Sequence, residues 1–198
     1  MLDTALRSRL VQPLDRAAAV LAARGVTAGA VTAIGLVVGT GACVAAAFGI
    51  WAAALPLWLA NRALDGLDGA LARLRGPTDL GGLLDFVADF VIYGGFVVGV
   101  AIAVPGARIA CTVLLAAYLL NNVALLSFAS LVEKRRLEFG DERSLRFTPG
   151  LTEGTETIAA YSLICLVPAR AEFIAWVFAA MVLVTVAQRL ALARRVLA

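Results

Sequence analysis

The sequence predicts an all-α integral membrane protein: a six-transmembrane-helix bundle with an N-terminal amphipathic interfacial helix. Three observations predict it. The chain is 62% hydrophobic with a mean hydropathy of +0.91, well above the roughly 45–50% apolar usage of soluble domains. It holds several apolar runs of about 20 residues, the length that crosses a bilayer as a helix. Its loops alternate between arginine-rich and arginine-poor, as expected for an even number of crossings. At 198 residues the chain forms one domain, 1–198, with no room for a separate soluble unit.

Residues 1–26 carry arginines and alanines but no uninterrupted apolar core with a cleavage site, so they are read as the interfacial helix rather than a removable leader. The bundle, residues 28–191, begins with a helix over about Ala28 to Ile50, for which Thr27 is the natural cap. A second helix runs from Ala52 to Leu74. It ends at Arg75-Gly76-Pro77-Thr78-Asp79, because Gly-Pro is turn chemistry and proline lacks the amide hydrogen a helix needs. The chain turns back there into a third helix, Gly82 to Val104, with Asp79 a loop residue or cap. A fourth covers Ile109 to Val132, where Asn121 and Asn122 are candidates for hydrogen bonds between helices. The polar, basic segment 133–150 is a loop or interfacial turn, followed by helices at Thr152 to Val167 and Glu172 to Leu190.

Lysine and arginine positions set the orientation. Arg7, Arg9, Arg16 and Arg24 precede the first membrane helix, Arg73 and Arg75 follow the second, and Lys134, Arg135, Arg136, Arg143 and Arg146 follow the fourth. Arg194 and Arg195 follow the sixth, while the opposite side holds only Arg108 and Arg170. Both termini are therefore expected in the cytoplasm, in a bacterial-type inner or cell membrane. Net charge is only +3, and no segment interleaves basic residues with aromatics, so a nucleic-acid partner is not expected. Cys43, Cys111 and Cys165 stand singly in apolar segments and read as small hydrophobes. The chain has no histidine, which excludes His-based triads and His ligation and leaves carboxylates as the natural general bases.

Against this apolar background four aspartates stand out: Asp65, Asp68, Asp85 and Asp89. A charge at the centre of a membrane helix costs about 2.5–3.5 kcal/mol on insertion scales, so such a cluster needs a neutralising partner. Asp65 and Asp68 are one helical turn apart, as are Asp85 and Asp89, so each pair shares a helix face. The turn at Gly76-Pro77 lets both pairs converge. Carboxylate oxygens suit Mg²⁺ or Mn²⁺, which commonly bind phosphates as well. Gly69, Ala72 and Arg73 continue along the second helix, where small residues admit helix packing or a ligand and the guanidinium matches phosphate geometry.

The run Asp65-x-x-Asp68-Gly69-x-x-Ala72-Arg73, continuing to Gly81-x-x-x-Asp85-x-x-x-Asp89, resembles the signature of the CDP-alcohol phosphotransferases, membrane enzymes of phospholipid synthesis. The six-helix layout is also similar. The resemblance implies that Asp65, Asp68 and Asp85 hold one or two divalent cations, with Asp89 the general base that also touches metal. It implies that Asp65, Asp68, Gly69, Ala72, Arg73 and Gly81 receive the cytidine diphosphate. The interval from Arg73 to Gly81 is one residue shorter than the family pattern, and the first helix is entered through Gly25-Val26-Thr27-Ala28-Gly29 where many relatives have proline and asparagine.

By that resemblance the chain transfers a phosphatidyl group from a CDP-linked lipid, CDP-diacylglycerol foremost, to a small hydroxylated acceptor with release of CMP. Candidate acceptor contacts are Arg135, Arg143 and Arg146 in the basic segment, and Glu153 and Glu156, one turn apart at the start of the fifth helix. Anchoring to anionic lipid explains the arginines equally well, and helix capping explains part of the glutamates. Small-residue faces permit a homodimer, as in relatives. The competing class is a cation-coupled transporter using intramembrane carboxylates, but transporters often show internal repeats, and none is visible here.

Overall fold

The structure is a computed structural model that describes residues 2–136, 152 and 154–197, with side chains from residue 12 onward. The described chain forms α1 (Leu2–Ala23), α2 (Ala28–Ala47), α3 (Trp51–Arg75), α4 (Asp79–Ala103), α5 (Arg108–Lys134), α6 (Gly154–Leu166) and α7 (Ala171–Leu197). Short 3₁₀ turns at Pro105–Ala107 and Pro168–Arg170 lead into α5 and α7. No strand occurs among the described residues. Arg143, Arg146 and Glu153 lie outside them.

Local chemistry sets the helix ends. After α1, Gly25 takes a positive φ of 82° while its N–H reaches the Ala22 carbonyl and the Val26 N–H reaches that of Leu21, closing the last carbonyls in a Schellman arrangement. Thr27 then caps α2 by accepting from the Ala30 amide. The same closure ends α2 at Gly49, φ 68°, with the Ile50 N–H on the Ala45 carbonyl. Between α3 and α4, Gly76 adopts φ 93° and Thr78 caps the next helix, so Asp79 is its first residue rather than its cap. α4 thus starts three residues earlier than the sequence suggests. Asp85 and Asp89 fall in its second and third turns.

Four helical segments are long and apolar enough to cross a membrane: Ala28–Ala47, Asp79–Ala103, Pro105–Lys134 and Pro168–Leu197. Together with the exposed apolar residues on their outer faces, among them Val37, Ile102, Leu119 and Phe173, they make this an integral membrane protein. α3 carries too many charges to meet the same measure, and α6, at 13 residues, is too short. The core is aromatic. Trp58 is fully buried, with ring centroids of Tyr161, Phe96 and Tyr93 at 5.0, 5.6 and 6.0 Å. The Tyr161 hydroxyl donates to the Tyr93 carbonyl and pairs with the Tyr118 hydroxyl, each at 2.9 Å. α1 lays Leu14, Ala18 and Leu21, one helix face, against Ala70 and Leu71 of α3.

α2 packs against α3 and α4 at very close range. A Cβ on Gly99 of α4 would fall 2.6 Å from the Cys43 carbonyl and 3.1 Å from the Ala47 amide of α2, both backbone atoms that cannot swing away. Gly99→Ala is therefore expected to force the helices apart and destabilise the fold by about 1–3 kcal/mol, as overpacking does. Gly29→Ala, whose Cβ would meet nothing within 4 Å, should leave stability unchanged or slightly raised. Thermal unfolding of both variants in detergent measures the contrast.

Candidate functional site

α3 and α4, joined by the turn at Gly76-Pro77, each pack against α2 and bring their aspartates together at a cleft between the three helices. One carboxylate oxygen from each of Asp65, Asp68 and Asp85 lies within 4.8 Å of the others. Asp68 is buried, while Asp65 and Asp85 are half-buried, so the trio lines the wall of a narrow cleft rather than a sealed core. Three hard oxygen donors at such separations fit a divalent cation of the Mg²⁺ or Mn²⁺ class, with open positions left for phosphate oxygens or water. The Thr32 hydroxyl of α2 donates to Asp68 Oδ2 at 2.8 Å, the shorter of its two contacts, and turns that carboxylate toward its neighbours.

Asp89 lines the same cleft but has a different partner. Its Oδ1 lies 2.9 Å from Nη1 of Arg62, a side chain only 6% exposed. The same nitrogen donates to the Tyr93 hydroxyl at 2.7 Å and lies 3.7 Å from Asp65 Oδ2. The guanidinium carbon sits 4.9 and 4.8 Å from the ring centroids of Trp58 and Tyr93, a range at which ring faces attract a cation. Arg62 Nε donates to Asn61 Oδ1 at 2.9 Å, and Asn61 Nδ2 donates to the Gly35 carbonyl of α2 at 2.9 Å.

Arg62, Asn61, Thr32 and Tyr93 were not assigned functional roles from sequence. A signal for Arg62 and Tyr93 exists there: Arg62 precedes Asp65 by three residues and Tyr93 follows Asp89 by four, so each shares a helix face with an aspartate. Of the residues linked to nucleotide binding, Asp65 and Asp68 line the cleft, whereas Gly69, Ala72, Arg73 and Gly81 lie beyond its lining. Gly69 is half-buried beside Arg73, whose Nη1 would lie 3.6 Å from a Cβ at that glycine. Arg73 is exposed, with Nη2 3.6 Å from Asp15 of α1. Ala72 is half-buried between them. Gly81 is exposed, and its N–H donates to the capping hydroxyl of Thr78 at 3.1 Å; a Cβ there would approach that oxygen to 2.8 Å. Its local role is helix capping.

Of the candidate acceptor residues within the described chain, neither Arg135 nor Glu156 lines the aspartate cleft. Arg135 is exposed at the end of α5 and donates to the Leu197 carbonyl at 2.6 Å. Glu156 is half-buried in the first turn of α6. Asn121 links helices, as expected of an amide in an apolar segment, by accepting from Nη1 of the buried Arg189 of α7 at 3.0 Å.

No family model matches the chain. The inner membrane protein YnjF of Escherichia coli (strain K12) is 40% identical to it over 172 residues, covering 85% of this chain and 84% of that protein. Two solved structures of the phosphatidylinositol phosphate synthase of Mycobacterium tuberculosis share the fold. The form with CDP-DAG bound aligns with a TM-score of 0.69 at 22% identity, over 93% of this chain and 94% of that one. The complex with manganese and citrate gives 0.72 at 21% identity, over 91% and 88%.

If Asp65, Asp68 and Asp85 hold a cation, Thr32 is the outer partner that orients the most buried of them. Thr32→Val keeps the shape but removes the hydroxyl, and is expected to weaken Mn²⁺ binding by about 10–100-fold, the usual range for losing an outer-shell hydrogen bond. Titration of the full chain in detergent, followed by the paramagnetic signal of free Mn²⁺, reads the shift.

Proposed function

The chain belongs to one family with the E. coli inner membrane protein, and its fold is that of the CDP-alcohol phosphotransferases; on that basis we propose that it is a metal-dependent phosphotransferase. It transfers a phosphatidyl group from a CDP-linked lipid, CDP-diacylglycerol foremost, to a small hydroxylated acceptor and releases CMP. The observation that carries this reading is the convergence of Asp65, Asp68 and Asp85 to within 4.8 Å at a cleft between α2, α3 and α4. The sequence pattern around them supports a nucleotide diphosphate as the group presented there.

In this reading Asp65, Asp68 and Asp85 hold Mg²⁺ or Mn²⁺. When bound, the cation would polarise the phosphoryl oxygens and shield the charge on the leaving CMP. Gly69, Ala72 and Arg73 are the candidates along α3 to receive the nucleotide and its phosphates. Asp89 accepts the proton from the acceptor hydroxyl as that oxygen forms its bond to phosphorus, with Arg62 holding the carboxylate in place. Gly81 keeps the α4 entrance compact. Arg135, Arg143, Arg146, Glu153 and Glu156 are the candidates for acceptor or headgroup contacts.

The bundle is proposed to cross the membrane six times, α3 and α6 included, because the buried faces of both helices pack into the same aromatic core as the four apolar spans. The distribution of lysine and arginine then puts both termini and the aspartate cleft at the cytoplasmic face of a bacterial inner membrane. Its partners are the CDP-linked lipid, the acceptor and membrane lipid, with a homodimer permitted by the small-residue faces.

Purified protein given CDP-diacylglycerol, Mn²⁺ or Mg²⁺ and a panel of alcohols is expected to release CMP and form a new phospholipid. Metal-independent behaviour with ion flux in liposomes and no CMP would replace this reading with transport. Asp89→Asn should abolish turnover while leaving CDP-lipid binding largely intact. Equal loss of binding would mean that Asp89 acts first as a ligand.

A further inference from the structure

We infer that Arg62 is a built-in cation that takes the place of a second metal ion, so that the site binds one divalent cation per chain. This rests on the reading of Asp65, Asp68 and Asp85 as a metal site, and it settles a count that the four aspartates alone leave at one or two.

The geometry of Arg62 carries the inference. Its Nη1 faces three oxygens, Tyr93 Oη at 2.7 Å, Asp89 Oδ1 at 2.9 Å and Asp65 Oδ2 at 3.7 Å. A second ion working beside the first would have to share Asp65 and draw on Asp89, since paired metals stand about 3.5–4 Å apart and are bridged by common ligands. That place is occupied by a guanidinium. Arginine keeps its charge in proteins, so it cannot vacate the role by losing a proton.

Nor is the side chain free to swing aside. Its guanidinium is held between Trp58 and Tyr93, bonded through Nε to Asn61 and only 6% exposed, and Asn61 is itself anchored on the Gly35 carbonyl. A divalent ion would meet both the repulsion of a fixed positive charge and the loss of these contacts. The trio of Asp65, Asp68 and Asp85 is left on the other side, with Asp65 common to both cations.

The test counts Mn²⁺ bound to the full chain in detergent, by equilibrium dialysis with elemental analysis. Wild type is expected to bind one ion per chain, as is Asp89→Asn. Arg62→Met, which keeps length and removes charge, is expected to bind two, and Arg62→Lys one. Two ions on the wild type, or loss of the ion in Asp89→Asn, would overturn the inference while leaving the metal-enzyme reading intact. A single ion on a folded Arg62→Met, judged by size-exclusion profile and thermal transition, would also overturn it. If Arg62→Met does not fold, the wild-type and Asp89→Asn counts decide. No ion on any form would overturn the metal site itself and this inference with it.

Discussion

The polar network around Arg62 is the constraint on which the site depends. A guanidinium buried in an apolar bundle must find all its partners within the protein, because neither lipid nor bulk water supplies them. Here its partners come from two helices and the network reaches a third. Asp65 and Asn61 belong to α3, Asp89 and Tyr93 to α4, and Asn61 carries the network on to the Gly35 carbonyl of α2. Removing one member of a buried ion pair typically costs about 3–5 kcal/mol, because the charge left behind has no solvent to turn to. The network therefore fixes how α2, α3 and α4 sit against one another as well as where the carboxylates point.

Such a network forms only if the helices come close enough. Lipid offers helices little hydrophobic drive to associate, so packing at small residues has to bring their backbones together. Gly99 lets α4 approach the α2 backbone, and a Cβ at Gly39 would fall within 2.8 Å of Asn61 Nδ2 and the Ile92 side chain. Gly35 likewise leaves its carbonyl within reach of Asn61. The small-residue positions on α2 thus serve the site twice, by admitting α4 and by exposing a backbone acceptor to the arginine's tether.

What could be read in the sequence was what short-range chemistry decides. Thr27, Gly76-Pro77 and the apolar runs mark helix ends within a few residues, because caps and turns depend on immediate neighbours. The pairing of Asp65 with Asp68 follows from one turn of helix. The role of Arg62 was not legible, since its partners Asp89 and Tyr93 lie on another helix and only packing brings them near. By spacing alone the four aspartates look equivalent; the family resemblance sets Asp89 apart as the base, and folding gives the other three to one cluster and Asp89 to an arginine. The start of α4 was misplaced because Thr78, rather than Asp79, supplies the cap.

This division of the aspartates also explains how the cluster is held in register. Asp85 and Asp89 are one turn apart on α4, so any rotation of that helix moves both carboxylates together. The contacts of Asp89 and Tyr93 with Arg62 set the rotation, and Asp85 is thereby delivered to Asp65 and Asp68. On the α3 side Arg62 stands one turn before Asp65, so the same guanidinium anchors both helices at the level where their acids meet. Thr32 completes the frame by holding Asp68 from α2. A buried ion pair that would be a doubtful gain for stability alone is, in this position, the element that keeps three like charges facing one another until a cation is present to reward it.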